Sequence, residues 1–257
     1  MTPKWGVAEH AARRLQHVAG KRQALQVEEC NAMTSDASIE ALRGMMEARL
    51  YEWRQSAEKP TSKVGPVVTV SRQAGCRGES ISERVAAELG FHLYTWEIVE
   101  QIAKDEHVSV QVVSTLDEKA RTELEDWLTG FQGTHNLSEY DYLRDLKRVT
   151  FAIAAHGSAI IVGRGASFLL PPEKRIALLF VSPIEVRIRN VMEDRGLSEK
   201  HAREHIVKVD AEHHQFAKKY FQTDILDSAH YHMVINTALI KPDTIGGILK
   251  EVFHHKS

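Results

Sequence analysis

The sequence predicts an α/β fold in which a parallel sheet is flanked by helices and preceded by an N-terminal helical extension. A β-branched run, a glycine-containing turn and a helical pattern follow one another between residues 67 and 89. From residue 64 onward, short apolar runs alternate with helical patterns, which is typical of a parallel sheet covered on both faces. Residues 1–62 lack such runs and contain an amphipathic helical pattern instead.

The stretch from residue 67 to residue 89 contains the first predicted strand and helix. Residues 67–70 are Val-Val-Thr-Val, which favours a buried strand, and apolar residues recur at helical spacing from Ile81 onward. Gly75 and Gly78 lie between the two. This layout is typical of a phosphate-binding loop, because the amide groups at the start of a helix attract an anion. An ordinary turn without a ligand is the alternative.

The loop departs from the common phosphate-binding motif G-x-x-x-x-G-K-[ST]. With Gly75 as the inner glycine, the lysine position falls near Gly78, and the loop contains no lysine. Ser80 supplies the hydroxyl group that holds magnesium in that motif. We expect Arg72 or Arg77 to provide the missing positive charge.

The same patterns predict the remaining elements. Further strands are predicted at residues 91–94, 159–162, 176–181 and 231–236. Helices are predicted at residues 97–103, 142–156, 184–195 and 244–253, and one more begins at the cap residue Ser198, just after Gly196 ends its predecessor. The segment 116–133 is polar and acidic and closes in a flexible section, 130–136.

Composition restricts the classes of function. The chain has 257 residues and a formal net charge of -2. This charge gives no global basic surface, so we expect no nucleic-acid partner. Cys30 and Cys76 form neither a disulfide framework nor a C-x-x-C pattern, which favours a reducing, cytoplasmic location. No apolar run is long enough to span a bilayer, and we expect no secretory leader and no membrane partner.

Residues 1–62 are predicted to be a helical extension and residues 63–257 the α/β domain. Thr34-Ser35-Asp36 is a helix-start signal, and Pro60-Thr61-Ser62 marks the joint between the two parts. An apolar stripe at helical spacing follows the helix start, and its members are Ile39, Leu42, Met45, Met46, Leu50 and Trp53. Such a stripe is usually core or a docking face. We therefore expect the N-terminal helices to support a homo-oligomer.

Four groups of residues together resemble the cytidylate kinase-like family. These groups are 68–81, Gly163-Arg164-Gly165-Ala166, Gly196-Leu197-Ser198-Glu199-Lys200 with Lys208-Val209-Asp210, and Val234-Ile235-Asn236-Thr237. The resemblance covers about residues 64–257 and keeps the order of the motifs. It implies the P-loop nucleoside monophosphate kinase fold. It also implies phosphoryl transfer from ATP to a nucleoside monophosphate, CMP or dCMP foremost, with Mg²⁺.

The resemblance also implies roles for individual residues. The residues implied to bind nucleotide or phosphate are Gly75, Cys76, Gly78, Glu79, Ser80 and Arg164, with Ser80 also near Mg²⁺. The cations implied around the moving phosphoryl group are Arg72, Arg77 and Arg187. The implied lid runs from about residue 210 to residue 221, with His213, Lys218 and Lys219 as its candidates.

The chain departs from the family pattern at three further places. The third residue of the family's Gly-Arg-Asp segment is Gly165 here, and Tyr94-Thr95-Trp96-Glu97 stands where the family carries an aspartate and a serine. The lid contains Glu212-His213-His214 where arginines are expected. These departures, the missing lysine and the unexplained extension keep an alternative open. In that alternative, the chain is a catalytically impaired nucleotide-binding protein with a regulatory or interaction role.

A second alternative is a zinc peptidase, because residues 201–205 match the pattern H-x-x-E-H. A third ligand would have to be His213 or His214. The pattern is short, and a chain with 14 histidines meets it easily by chance. The same segment also fits the kinase-like pattern as the helix before the lid, so the zinc interpretation is disfavoured.

Overall fold

The computed structural model describes residues 36–57, 65–129 and 137–256. The chain divides into two compact units, residues 1–51 and residues 52–257. The described part of the first unit belongs to helix α1 (Asp36–Ala57), which begins where the helix-start signal predicts it. The predicted joint at residues 60–62 and the predicted flexible section at residues 130–136 lie outside the described residues.

In the described part of the second unit, five parallel strands form a sheet in the order β2-β3-β1-β4-β5. The strands are β1 (Val67–Arg72), β2 (His92–Tyr94), β3 (Ala159–Val162), β4 (Ile176–Val181) and β5 (Met233–Asn236). Val68 of the central strand pairs with Ile160 on one side and Ile176 on the other. The predicted parallel sheet is therefore confirmed.

Helices cover this sheet. They are α2 (Gly78–Leu89), α3 (Trp96–Lys104), α4 (Glu106–Ser114), α5 (Glu118–Thr129), α6 (Leu137–His156), α7 (Ala166–Leu169), α8 (Ile184–Arg195), α9 (Glu199–Phe221) and α10 (Pro242–Lys256). Gly196 ends α8 with φ 63°, and the Ser198 hydroxyl oxygen accepts a hydrogen bond from the His201 amide, as their sequence positions predict. Among the described helices, none is both long and apolar enough to cross a membrane.

Helix α4 has no counterpart among the predicted elements. Its sequence contains several valines, which favour a strand. The Asp105 carboxylate, however, accepts a hydrogen bond from the Val108 amide and starts the helix, and Val112 is fully buried. Helix α4 packs against α3 and α6, so tertiary burial overrides the local preference for a strand.

The apolar core lies on both faces of the sheet. On one face, Val68 and Val70 pack with Val85 of α2 and Leu249 of α10. Burying such side chains contributes about 1.5–3 kcal/mol each, so this shared core stabilises the packing of the following helix on the first strand.

The other face of β1 carries a buried chain of hydroxyl groups. The Ser167 hydroxyl donates to Thr69 Oγ1 over 3.0 Å, and the Ser71 hydroxyl lies 3.4 Å from Ser167 Oγ. All three residues are buried, so these bonds satisfy groups that would otherwise destabilise the core. They also hold α7, and with it the preceding loop at residues 163–165, against the central strand.

The strand order places a crevice at the carboxyl ends of β1 and β4. These neighbouring strands continue in opposite directions, since β1 leads to β2 at one edge of the sheet and β4 leads to β5 at the other. Ligands of parallel sheets bind at such a switch point. Residues 73–77 and the start of α8 border the crevice.

The environment of His156 predicts a pH-dependent stability. Its ring stacks on Trp53 with centroids 4.2 Å apart, and its Nε2 lies 2.7 Å from Thr115 Oγ1. Burial lowers the pKa of His156 to about 4, although Asp117 raises it. Because the unfolded histidine titrates near 6.5, the unfolded chain binds more protons between pH 6.5 and 4. The free energy of unfolding should therefore fall as the pH falls through this range.

Denaturant unfolding of His156→Gln at several pH values tests this expectation. In His156→Gln, the free energy of unfolding should fall less steeply with falling pH than in the wild type. The difference in slope should be below about 1.4 kcal/mol per pH unit, which is the slope for a difference of one bound proton between the unfolded and folded chains. His254→Gln removes an exposed histidine instead and should keep the wild-type decline. Equal slopes in the two variants would refute the assignment to His156.

Candidate active site

The loop that follows β1 is held against the end of β4. The Gln73 amide donates to the Phe180 carbonyl oxygen over 3.0 Å, and the Ser182 amide donates to Gln73 Oε1 over 3.0 Å. Both bonds join residues that are distant in sequence. The loop therefore begins at a defined position on the carboxyl edge of the sheet.

Gly75 allows the loop to approach α8 closely. Its φ of +77° is in the left-handed region, and a Cβ atom there would lie 2.7 Å from the Arg187 carbonyl oxygen. The Asn190 side-chain amide donates to the Gly75 carbonyl oxygen over 2.8 Å. Glycine is required here by both the backbone conformation and the space.

Asp210 of α9 joins the loop to α8. Its Oδ1 accepts a hydrogen bond from the Ala74 amide over 2.8 Å, and its Oδ2 accepts one from Arg187 Nη1 over 2.6 Å. Arg187 Nη1 also lies 3.2 Å from the Ala74 carbonyl oxygen, and the arginine side chain is only 9% exposed. This three-way contact holds the loop between two helices.

The first turn of α2 is open to an anion. Arg77, at the N-cap with φ 56°, provides no side-chain cap, so the first amides of α2 are not bonded to a capping side chain. The Ser80 hydroxyl donates to the Arg77 carbonyl oxygen over 3.0 Å and is exposed. Free amides and the helix dipole favour a negative group at this point.

Cys76 lies inside the loop rather than on its surface. The side chain is 1% exposed, and burial raises the pKa of its thiol to about 11. The thiol stays protonated at neutral pH and behaves as a small apolar group. Any contact of Cys76 with a phosphate would therefore come from its backbone amide.

Arg72 and Arg77 point in different directions. Arg72 Nη2 donates to Glu79 Oε1 over 2.7 Å, and its Nη1 lies against Gly163, 2.8 Å from where a Cβ atom would be. Arg77 bonds to Asp194 and Glu193 at the end of α8 over 2.8 and 2.7 Å, and these bonds raise its pKa. Of the two, Arg72 is the one that faces the loop after β3.

Arg164 lies next to Gly163 and is enclosed by aromatic rings. Its Nε donates to Glu100 Oε2 over 2.9 Å, and its guanidinium carbon lies 4.4 Å from the Trp96 ring centroid and 5.5 Å from that of Phe216. Burial alone would raise the pKa of Glu100, but hydrogen bonds from Lys104 and Arg164 hold it below its ordinary value. The planar cation is therefore oriented by stacking and by one carboxylate.

The sequence profile of the cytidylate kinase-like family matches residues 67–239. The chain belongs to this family.

Individual relatives agree with this assignment. The chain is 27% identical over 194 residues to the cytidylate kinase of Pyrococcus horikoshii, and the aligned region covers 74% of this chain and 88% of the relative. It is 29% identical over 196 residues to the cytidylate kinase of Thermococcus kodakarensis, covering 74% of this chain and 89% of the relative. A crystal structure of an uncharacterized protein from Eubacterium ventriosum has the same fold, with a TM-score of 0.55, 19% identity and coverage of 74% of this chain and 98% of that one.

The lid predicted in this cytidylate kinase-like protein is the C-terminal half of α9, which runs unbroken from Glu199. His213 lies within the electrostatic range of Arg72 and Arg164, and burial together with these cations lowers its pKa to about 4. Lys218 and Lys219 are exposed on the same helix, and the Lys219 ammonium group lies 5.1 Å from the Tyr220 ring centroid. The structure thus brings His213 toward the arginines, and the two lysines lie on an exposed part of the helix.

The sequence analysis assigns no role to several residues of this site, which are Trp96, Glu100, Asn190, Asp210 and Phe216, although Trp96 and Asp210 belong to segments compared with the family pattern. Two spacings carried the signal: Trp96 and Glu100 are four residues apart on the helix after β2, and Asp210 is three residues before His213. Sequence spacing alone does not indicate which face of each helix meets the sheet.

The H-x-x-E-H segment has other contacts. His201 Nδ1 lies 3.1 Å from Ser198 Oγ at the start of α9, and Glu204 faces Lys200 at 4.0 Å. Throughout residues 36–57, 65–129 and 137–256, no group of three His, Cys, Asp or Glu residues is arranged to hold a metal ion. Nothing in the geometry of this segment supports the zinc interpretation.

The close approach at Gly75 predicts a specific loss of stability. Gly75→Ala combines a strained positive φ with a collision against the Arg187 carbonyl oxygen. Gly90→Ala has the same type of strain, with φ +66°, but open space around the new Cβ. Gly90→Ala should cost about 1–2 kcal/mol, and Gly75→Ala roughly 1–3 kcal/mol more. Denaturant unfolding measures both, and equal losses would contradict the close packing of the loop on α8.

Proposed function

We propose that the chain is a nucleoside monophosphate kinase that transfers the terminal phosphoryl group of ATP to a nucleoside monophosphate, CMP or dCMP foremost. The observation that carries the proposal is that Arg72 lies against Gly163, the residue before Arg164, at the carboxyl edge of the sheet and beside the open first turn of α2. Family membership and the archaeal cytidylate kinases that match it support the same reaction.

The donor phosphates fit the loop between β1 and α2. Backbone amides of the first turn of α2 bind the phosphate oxygens, and Arg72 provides the charge that a lysine provides in the common motif. Arg72 is now paired with Glu79, whose side chain is 46% exposed. A phosphate with two negative charges competes well with one exposed carboxylate for the guanidinium group.

The acceptor phosphate fits Arg164. Its planar guanidinium group can hold a phosphate bidentately, and the Trp96 and Phe216 rings keep that plane in one orientation. The acceptor must exchange for Glu100, which is the carboxylate that Arg164 contacts now. Since phosphoryl transfer depends mostly on positioning and charge neutralisation, a fixed Arg164 opposite Arg72 is the main catalytic requirement.

The residues at the start of α2 also suit Mg²⁺. The Ser80 hydroxyl and the Glu79 carboxylate supply the oxygen ligands that this ion prefers, and we infer that they hold it. When bound, the ion neutralises charge on the phosphate oxygens. Arg187 has a positioning role, because its bonds to Asp210 and Ala74 keep the loop in place for both nucleotides.

The first test measures ADP formation from MgATP with a panel of nucleoside monophosphates, beginning with CMP and dCMP. Turnover that depends on one of them supports the kinase and identifies its acceptor. A chain that binds ATP but turns over no acceptor would contradict the kinase proposal. That result would favour the regulatory, nucleotide-binding alternative.

The second test substitutes Arg164 with alanine. Removing a charged donor from the acceptor phosphate should lower kcat/KM for the acceptor by about 100-fold or more. The matched control is Arg84→Ala, since Arg84 is exposed on α2 and pairs only with Asp243 at 3.0 Å among the described contacts. Arg84→Ala should keep wild-type turnover. Equal rates in the two variants would remove Arg164 from the acceptor site.

A further inference from the structure

His213 lies on the face of α9 that covers the candidate site. One turn before it, Asp210 is bonded to the Ala74 amide of the loop. One turn after it, the Phe216 ring lies 5.5 Å from the Arg164 guanidinium carbon. His213 is therefore placed between the donor loop and the acceptor arginine.

The Nδ1 atom of His213 is buried and, in the described part of the chain, has no hydrogen-bond partner. A buried polar atom without a partner costs about 1–3 kcal/mol, so native structures seldom contain one without a reason. The next residue of the helix provides a contrast. The side chain of His214 is half-exposed, and its Nδ1 lies 3.4 Å from Asp224 Oδ1. The unsatisfied nitrogen points to a partner that the described residues do not supply.

The charges around His213 indicate the sign of that partner. Four charged groups from the elements packed around it act on the ring: Arg72 at the end of β1, Glu79 of α2, Arg164 after β3 and Asp210 of α9. Burial and the two guanidinium groups keep the ligand-free imidazole neutral, with a pKa of about 4. A ligand drawn to Arg72 and Arg164 is an anion, and its charge would favour the protonated ring.

We propose that His213 binds a phosphate group of the nucleotide substrates through Nδ1 and takes up one proton from solvent when that phosphate binds. The proton passes from water or buffer to the imidazole, and no covalent bond of the nucleotide changes. The proposal rests on the phosphate-binding role of the site given under the proposed function. It adds a positive charge on His213 that is present only when the nucleotide phosphate is bound.

Calorimetric binding to the full-length chain tests the proton uptake directly. The probes are CMP and, separately, a non-hydrolysable ATP analogue with Mg²⁺. Each titration is repeated at pH 6.5 in buffers of different ionisation enthalpy, which gives the number of protons taken up per nucleotide. Comparing variants removes the protons that belong to the nucleotide itself, since every variant binds the same probe.

The informative pair is His213→Gln and His214→Gln, the same substitution at adjacent residues. His214→Gln should match the wild type in affinity and proton uptake. His213→Gln should take up fewer protons with at least one probe and bind that probe about 10- to 100-fold more weakly, the usual effect of losing a hydrogen bond to a charged group. His213→Arg carries a fixed charge, so it should keep tight binding without the extra proton.

The outcomes separate this proposal from the kinase proposal. Equal affinity and proton uptake in His213→Gln and His214→Gln would overturn the role of His213, even in an active kinase. A wild-type chain that binds neither probe would overturn it as well. Proton uptake that depends on His213 in a chain without turnover would support the phosphate contact and contradict only the kinase. If thermal melting shows that His213→Gln is unfolded, the comparison of His213→Arg with the wild type decides.

Discussion

The site depends on the contact of Asp210 with the loop. One carboxylate accepts hydrogen bonds from the Ala74 amide and from Arg187, so α9, α8 and the loop after β1 share a single point of attachment. The arginine is almost fully buried, and a buried charge is tolerated only when it is paired. Losing either partner would leave the other unpaired. The loop conformation and the placement of His213 one turn further along α9 both follow from this contact.

The second constraint is charge. Each arginine predicted for the site is paired with a carboxylate of the same chain: Arg72 with Glu79, Arg77 with Glu193 and Asp194, Arg164 with Glu100, and Arg187 with Asp210. These pairs differ in burial. The Glu79 side chain is 46% exposed, so solvent screens its attraction for Arg72. In the proposed kinase, a substrate phosphate takes over such a cation, whereas the buried Arg187 keeps its partner Asp210.

Local patterns predicted the sheet well because its signal is local. The β3 and β4 segments coincide with their apolar runs, and Gly196 and Ser198 mark a helix end and a helix start through their own backbone and side-chain chemistry. Local patterns do not indicate α4, because its valines favour a strand and only burial against α3 and α6 makes the segment helical. Family resemblance added the order of the motifs, which periodicity does not carry.

The sequence by itself determined the parallel α/β architecture, the position of the glycine loop and the absence of its lysine, because these depend on residues that are neighbours along the chain. Only the tertiary structure decided which arginine faces the site. Arg72 and Arg77 are equivalent in the sequence, yet the left-handed backbone at Arg77 accompanies a side chain directed to α8, while Arg72 lies against Gly163. Pairing of Arg164 with Glu100 and burial of the His213 Nδ1 atom likewise depend on contacts between distant elements, which no local pattern encodes.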